Sequence, residues 1–119
     1  MRHKEQDIQM NLVQYIRLRY PDILFTISGA GLIRNKRTGG LMKKLGYSAG
    51  CPDIMIFEPR GDFKGLFIEL KQEKGHPTPE QRKWIEDLNK RGYLAQILYG
   101  FEQTKKFIDE YLRLFITED

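Results

Sequence analysis

The stretch Gly50-Cys51-Pro52-Asp53-Ile54-Met55-Ile56-Phe57, followed by Gly65-Leu66-Phe67-Ile68-Glu69-Leu70-Lys71-Gln72, decides how this chain is read. Asp53 to Phe57 and Gly65 to Gln72 are rich in β-branched and aromatic residues, and Glu58-Pro59-Arg60-Gly61-Asp62 between them has turn chemistry. A β-hairpin is the expected result. Side chains at i and i+2 of a strand project from one face, which puts Glu69 and Lys71 together and sends Leu70 into the opposite layer. Asp53 opens the partner strand, and a hairpin in register around its turn brings it near Glu69 or Lys71. Two carboxylates and an ammonium then share one small volume.

Converging carboxylates repel unless a cation joins them. Lys71 can be that cation, and a Glu-Lys pair on an exposed strand face is worth well under about 1 kcal/mol. The second reading adds a hard divalent ion held by oxygen ligands, with the lysine beside it. That arrangement suits phosphodiester hydrolysis, because the metal acidifies a bound water while the lysine orients the water or stabilises developing charge. Spacing alone leaves both readings open.

Outward from the hairpin, the pattern alternates between helix and strand. Lys4 to Tyr20 carries Ile8, Leu12, Tyr15, Ile16 and Arg19 at helical spacing, with Pro21 as the stop. Ile23 to Ile27 reads as a strand, and one or two helical turns are expected around Leu41 to Leu45. Thr78-Pro79-Glu80-Gln81 opens a helix with a Thr N-cap, a Pro at the first position and a Gln that closes a capping box, and Gly92 ends it. Tyr93 to Tyr99 is almost continuously apolar, so an interior strand covered on both faces is expected. Thr104, Phe107, Ile108, Tyr111, Leu112 and Phe115 mark a C-terminal amphipathic helix. The order predicts an α/β fold, a mixed β-sheet flanked by α-helices.

Two further polar residues fall on apolar stripes. Gln81 shares the stripe of Trp84, Ile85 and Leu88, so its amide faces the sheet, where it meets substrate or serves only the cap. Glu5 continues the stripe of Ile8, Leu12 and Ile16, either as a site carboxylate or as an acid favoured by the helix dipole. His76 reads as a solvated loop residue, Cys51 as a small buried one, and the aromatic residues as core.

The 119 residues, 40% hydrophobic and 12% aromatic, make one domain over residues 1–119 and exclude disorder as the main state. One cysteine and two histidines exclude an internal disulfide and a four-ligand Cys/His zinc site. A soluble protein of a reducing, intracellular compartment is expected, since no apolar window approaches a membrane span or secretion signal. Gly29-Ala30-Gly31 lacks the flanks of a nucleotide-binding loop. The formal net charge is +4, yet Ser28 to Gly50 alone holds five cations, Arg34, Lys36, Arg37, Lys43 and Lys44, and no acid. That segment reads equally as a solvated loop or as a patch that meets phosphates.

Taken together, Gly50-Cys51-Pro52-Asp53, then Phe67-Ile68-Glu69-Leu70-Lys71, then Gln81 after Thr78-Pro79, resemble the PD-(D/E)xK nuclease superfamily, specifically its stand-alone VRR-NUC domain. The resemblance covers nearly the whole chain and is unbroken at the key positions. It implies a restriction-endonuclease-like core and a Mg²⁺- or Mn²⁺-dependent DNA endonuclease. Asp53, Glu69 and the backbone carbonyl of Leu70 take the place of metal ligands, Lys71 that of the catalytic lysine. Gln81 and Glu5 match the helix glutamine and first-helix acid, and Arg34, Lys36, Arg37, Lys43 and Lys44 become the DNA-binding segment. The relatives imply a homodimer acting on branched DNA such as four-way (Holliday) junctions, cytoplasmic if bacterial or phage-encoded. The rival readings are a catalytically idle nucleic-acid-binding module and a nuclease subunit that needs a partner.

Overall fold

A computed structural model describes residues 4–33 and 35–114. Helix α1 (Lys4–Arg19) has Glu5 and Asp7 in its first turn and Arg17 and Arg19 in its last, the polarity that suits a helix dipole. Strand β1 (Phe25–Ile27) leads through a 3-10 turn at Ala30–Leu32 into helix α2 (Lys36–Lys44). Strands β2 (Ile54–Ile56) and β3 (Leu66–Lys71) form the expected hairpin, and helix α3 (Pro79–Lys90) crosses to strand β4 (Leu94–Tyr99), which runs into helix α4 (Gly100–Leu112). The sheet order is β1-β2-β3-β4, with β1/β2 and β2/β3 antiparallel and β3/β4 parallel. This is the expected α/β architecture.

Two elements differ from the sequence reading. Helix α2 begins at Lys36 rather than near Leu41, because Asn35 caps it: its side chain accepts the Thr38 N–H at 2.8 Å. That cap offsets part of the propensity lost at Gly39 and Gly40, roughly 1 kcal/mol each. Strand β4 is an edge strand, hydrogen-bonded to β3 alone. Its apolar run reflects the helices packed over it rather than a neighbour on each side. The interior strands are β2 and β3, and β3 is buried along its whole length. Arg34 and Phe115 lie outside the described residues.

Alternation along β3 divides the core. Leu66, Ile68 and Leu70 join Leu12 and Ile16 of α1, Ile54 and Ile56 of β2, and Ile108 and Tyr111 of α4 in the main cluster. Phe67 faces the other way and packs with Leu88 and Ala95, bordered by Met55, Trp84 and Ile85. This second core is small, and beyond Phe67 its row continues as Glu69 and Lys71. The Thr78 capping box forms as the sequence predicts, and Gly92 (φ +93°) supplies the left-handed turn after α3. Among the described residues, no helix is long and apolar enough to cross a membrane.

A polar cluster joins α1 to α4. Tyr15 and Tyr20 each donate to Asp109 Oδ1 at 2.5 Å, and Lys105 Nζ donates to Oδ2 at 3.3 Å. Burial alone raises the Asp109 pKa, but the three hydrogen bonds outweigh it and hold the carboxyl below its usual value. Asp109 therefore stabilises the fold above about pH 4 and loses that contribution on acidification. Asp109→Asn is expected to destabilise the protein at pH 7 by about 1.5–3 kcal/mol. Urea melts at several pH values check this, with the gap to wild type closing below about pH 4.

Candidate active site

The hairpin register sets the geometry. Ile54 pairs with Ile68, so the next position outward places Asp53 across from Glu69. The Leu70 N–H donates to Asp53 Oδ2 at 2.8 Å, and the Asp53 carbonyl accepts the Ser28 N–H at 3.1 Å. Asp53 is thereby held by both flanking strands. Glu69 and Lys71 share the face opposite Leu70, as the two-residue period requires, and are only 3% and 7% exposed. Lys71 Nζ stands 3.6 Å from Glu69 Oε2 and 3.8 Å from Glu5 Oε1. The structure thus brings Glu5, Asp53, Glu69 and Lys71 together, drawing in the first turn of α1 from across the molecule.

Burial, then the charge of Asp53, pushes the Glu69 pKa up to about 8, against the opposing pull of Lys71. Asp53 is raised as well, chiefly by burial, while the Leu70 N–H works in the other direction. The pair relieves its repulsion by letting Glu69 keep a proton and hydrogen-bond Asp53. Glu69 Oε1 is buried without a hydrogen-bond partner among the described residues. An orphaned buried carboxylate oxygen beside a second carboxylate fits a hard divalent cation. No group of three or more His, Cys, Asp or Glu gathers as a metal cage among the described residues. Mg²⁺ needs none, since it binds through one or two carboxylates and keeps waters. The Leu70 carbonyl points to the same side of β3 as the N–H that bonds Asp53.

The other predicted residues fall as follows. Gln81 serves the cap: its Oε1 accepts the Thr78 N–H at 2.9 Å, and its own N–H donates to Thr78 Oγ1 at 3.1 Å. It borders the site loop, because a Cβ on Gly50 would lie 2.8 Å from Gln81 N. Lys36, Arg37, Lys43 and Lys44 are all exposed on α2, which buries none of its residues. His76 is exposed. Cys51 is half-buried rather than buried, and its thiol is raised by burial and by the nearby Glu69 and Asp53. Tyr47, a residue that sequence reasoning passed over, has its phenol pKa raised, first by burial and then by the charges of Cys51, Glu69 and Asp53. Its only signal was the bracket of Gly46 and Gly50.

An acid whose folded pKa exceeds its unfolded value removes stability as pH rises between the two. For Glu69 the window runs from 4.5 to about 8. With divalent ions chelated, the melting temperature is expected to fall across that window. Glu69→Gln keeps the shape without the charge and should raise melting at pH 8 by about 4 °C or more. An unchanged slope in the variant would place the titration elsewhere.

Comparison with known proteins adds a family. The VRR-NUC domain model matches residues 5–102, a span that includes Glu5, Asp53, Glu69, Lys71 and Gln81. A solved "VRR_NUC domain protein" superposes with a TM-score of 0.81 at 25% identity, covering 98% of this chain and 95% of its own. A second, described as "VRR_NUC domain", gives a TM-score of 0.58 at 26% identity, with 92% and 99% covered. No curated protein matches. With the match spanning most of its length and the fold superposing end to end, the chain belongs to the VRR-NUC family and is a nuclease-type domain with an α/β restriction-endonuclease-like fold.

Proposed function

We propose that this chain is a divalent-metal-dependent endonuclease that hydrolyses DNA phosphodiester bonds, acting as a homodimer on branched DNA such as four-way junctions. The observation that carries the reading is Glu69 Oε1, buried beside Asp53 and without a hydrogen-bond partner among the described residues. Such an oxygen costs the fold stability unless a ligand completes it.

In this reading Asp53, Glu69 and the Leu70 carbonyl hold the cation. When bound, Mg²⁺ or Mn²⁺ supplies charge neutralisation at the scissile phosphate and an acidified water. Asp53 is prepared for this by its Leu70 hydrogen bond, which fixes one of its oxygens. Lys71 presents its ammonium between Glu69 and Glu5, where it hydrogen-bonds the attacking water or a phosphate oxygen and stabilises the negative charge that develops. Glu5 orients that ammonium from α1. The exposed cations of α2 grip backbone phosphates, a contact that weakens as salt displaces it. The dimer has a geometric reason: symmetric cutting of two strands takes two sites, and one chain builds one.

A gel assay with labelled duplex, flap, splayed-arm and four-way-junction DNA in Mg²⁺, Mn²⁺ or EDTA tests this directly. Cuts are expected only with metal, most readily on the four-way junction. They should vanish in Glu69→Ala and fall about 10²- to 10³-fold in Lys71→Ala, with DNA binding retained. Full activity of a folded Lys71→Ala protein would overturn the assignment, and salt-sensitive mobility shifts without cutting would leave a binding module. Mg²⁺ should also raise the melting temperature more at pH 8 than at pH 6, because the cation replaces the Glu69 proton. Glu69→Gln should lose that gain.

A further inference from the structure

Lys71 ends strand β3, and its charge partners attract its ammonium without fixing it. The Nζ lies 3.6 Å from Glu69 Oε2 and 3.8 Å from Glu5 Oε1, both beyond the reach of an ordinary N–H···O bond, about 3.2 Å. The Glu5 side chain is 39% exposed, so water screens its pull. A lysine stem stays flexible until something packs on it, yet the Lys71 side chain is only 9% exposed. Something other than charge confines it.

The confinement comes from the chain just beyond the strand. Gly75 N–H donates to Gln72 O at 2.8 Å, which closes a turn over residues 72–75. Gln72, Glu73 and Lys74 are exposed, whereas Gly75 is half-buried. A Cβ added to Gly75 would lie 3.3 Å from Lys71 Cδ, 3.3 Å from Gln72 O and 3.5 Å from Glu5 Oε2. The turn therefore rests on the middle of the Lys71 stem and beside the Glu5 carboxylate, touching both members of one ion pair.

The left-handed backbone that accounts for Gly46, Gly50, Gly61, Gly92 and Gly100 does not account for Gly75, whose φ is not positive. Space accounts for it. A contact of 3.3 Å to Lys71 Cδ is closer than the separation at which carbon atoms pack, about 3.5–4.0 Å. With a side chain at position 75, either the turn opens at its Gln72 bond or the lysine stem shifts, and both displace the ammonium.

We propose that Gly75 is a positioning residue: its lack of a side chain lets the 72–75 turn seat on the Lys71 stem and hold the ammonium between Glu69 and Glu5. The assignment rests on the nuclease reading above, in which that ammonium acts, and it makes the turn after β3 part of what aims it.

Gly75→Ala adds the one carbon. Its kcat on the four-way junction is expected to fall about 10-fold with KM unchanged within about 2-fold, since DNA contacts stay and only the lysine is misplaced. In the Glu5→Ala background the same substitution should cost much less, because both changes displace one ammonium. A double variant whose loss is the full product of the single losses would overturn the proposal. A second readout needs no cutting. Trace acetylation by acetic anhydride, resolved by mass spectrometry, should modify Lys71 about 5-fold faster in Gly75→Ala than in wild type, with the exposed Lys74 unchanged. Equal kcat, or equal acetylation of Lys71, would overturn the proposal. If Gly75→Ala does not fold, a glycine inserted between Glu73 and Lys74 lifts the turn without adding a Cβ; the same two changes are expected of it, and their absence would overturn the proposal. Should the wild type bind DNA but never cut, the nuclease reading fails alone, and the acetylation of Lys71 still decides whether Gly75 holds the stem.

Discussion

Strand β3 is buried on both faces, and its last three residues are an acid, a leucine and a lysine. Leu70 belongs to the main core with Ile68, Leu66 and the α1 and α4 side chains. Once that row is seated, alternation leaves Glu69 and Lys71 no choice of face. A register slip that exposed them would expose three leucine and isoleucine side chains, each worth about 1.5–3 kcal/mol of burial. Hydrophobic packing on one face of the strand therefore forces two charged groups into the other. Burying charge without compensation costs several kcal/mol. The molecule moderates this with Lys71, with a hydrogen-bonded proton between Glu69 and Asp53, and with the Leu70 amide on Asp53. None of these reaches Glu69 Oε1.

The rest of the fold supports that unfavourable corner. Helix α1 does so at two places along its length. Its middle supplies Leu12 and Ile16 to the core and Tyr15 to Asp109, which fixes the helix against α4. Its first turn then brings Glu5 to Lys71. Helix α3 closes the other side: Leu88 packs under Phe67, and Asn89 exchanges hydrogen bonds with both the N–H and the carbonyl of Ala95. Its N-terminus is the surface on which Gly50 rests, so the capping box at Thr78 also seats the loop that delivers Asp53. Gln81, which closes that box, thereby supports the backbone on which the loop rests.

Much of this was legible in the sequence because it depends on local periodicity. The two-residue period of a strand placed Glu69 with Lys71, and a hairpin in register placed Asp53 opposite. The capping box at Thr78 and Gln81 was readable from four consecutive residues. What escaped depended on distant partners or on loop geometry. The β4 run looks the same whether it has one strand neighbour or two, because its apolar content answers to the helices over its faces. The first half of α2 was hidden by Gly39 and Gly40, whose low propensity is offset by a single capping bond from Asn35. The surroundings of Tyr47 were illegible because they depend on a loop that holds two positive-φ glycines, Gly46 and Gly50, and phenylalanine or histidine would fit the sequence pattern as well.

Ion pairing differs from helix to helix. On α3, Lys83 pairs with Asp87 and Lys90 with Glu86, and on α4 Lys105 pairs with Asp109, all one helical turn apart. These cations are neutralised at home. On α2, Lys36, Arg37, Lys43 and Lys44 have no ion-pair partner among the described residues, and the segment from Ser28 to Gly50 offers no acid to give them one. Helix α2 has no fully buried side chain, and Met42 is only half-buried. Its stability comes from the Asn35 cap and from Lys43 and Lys44 at the negative end of its dipole. Long-range charge is screened within about 10 Å at moderate salt, so such a patch is useful to the carboxylate site only if it is close and fixed. The Tyr47 to Met42 bond supplies the fixing, by joining the last turn of α2 to the loop that enters β2.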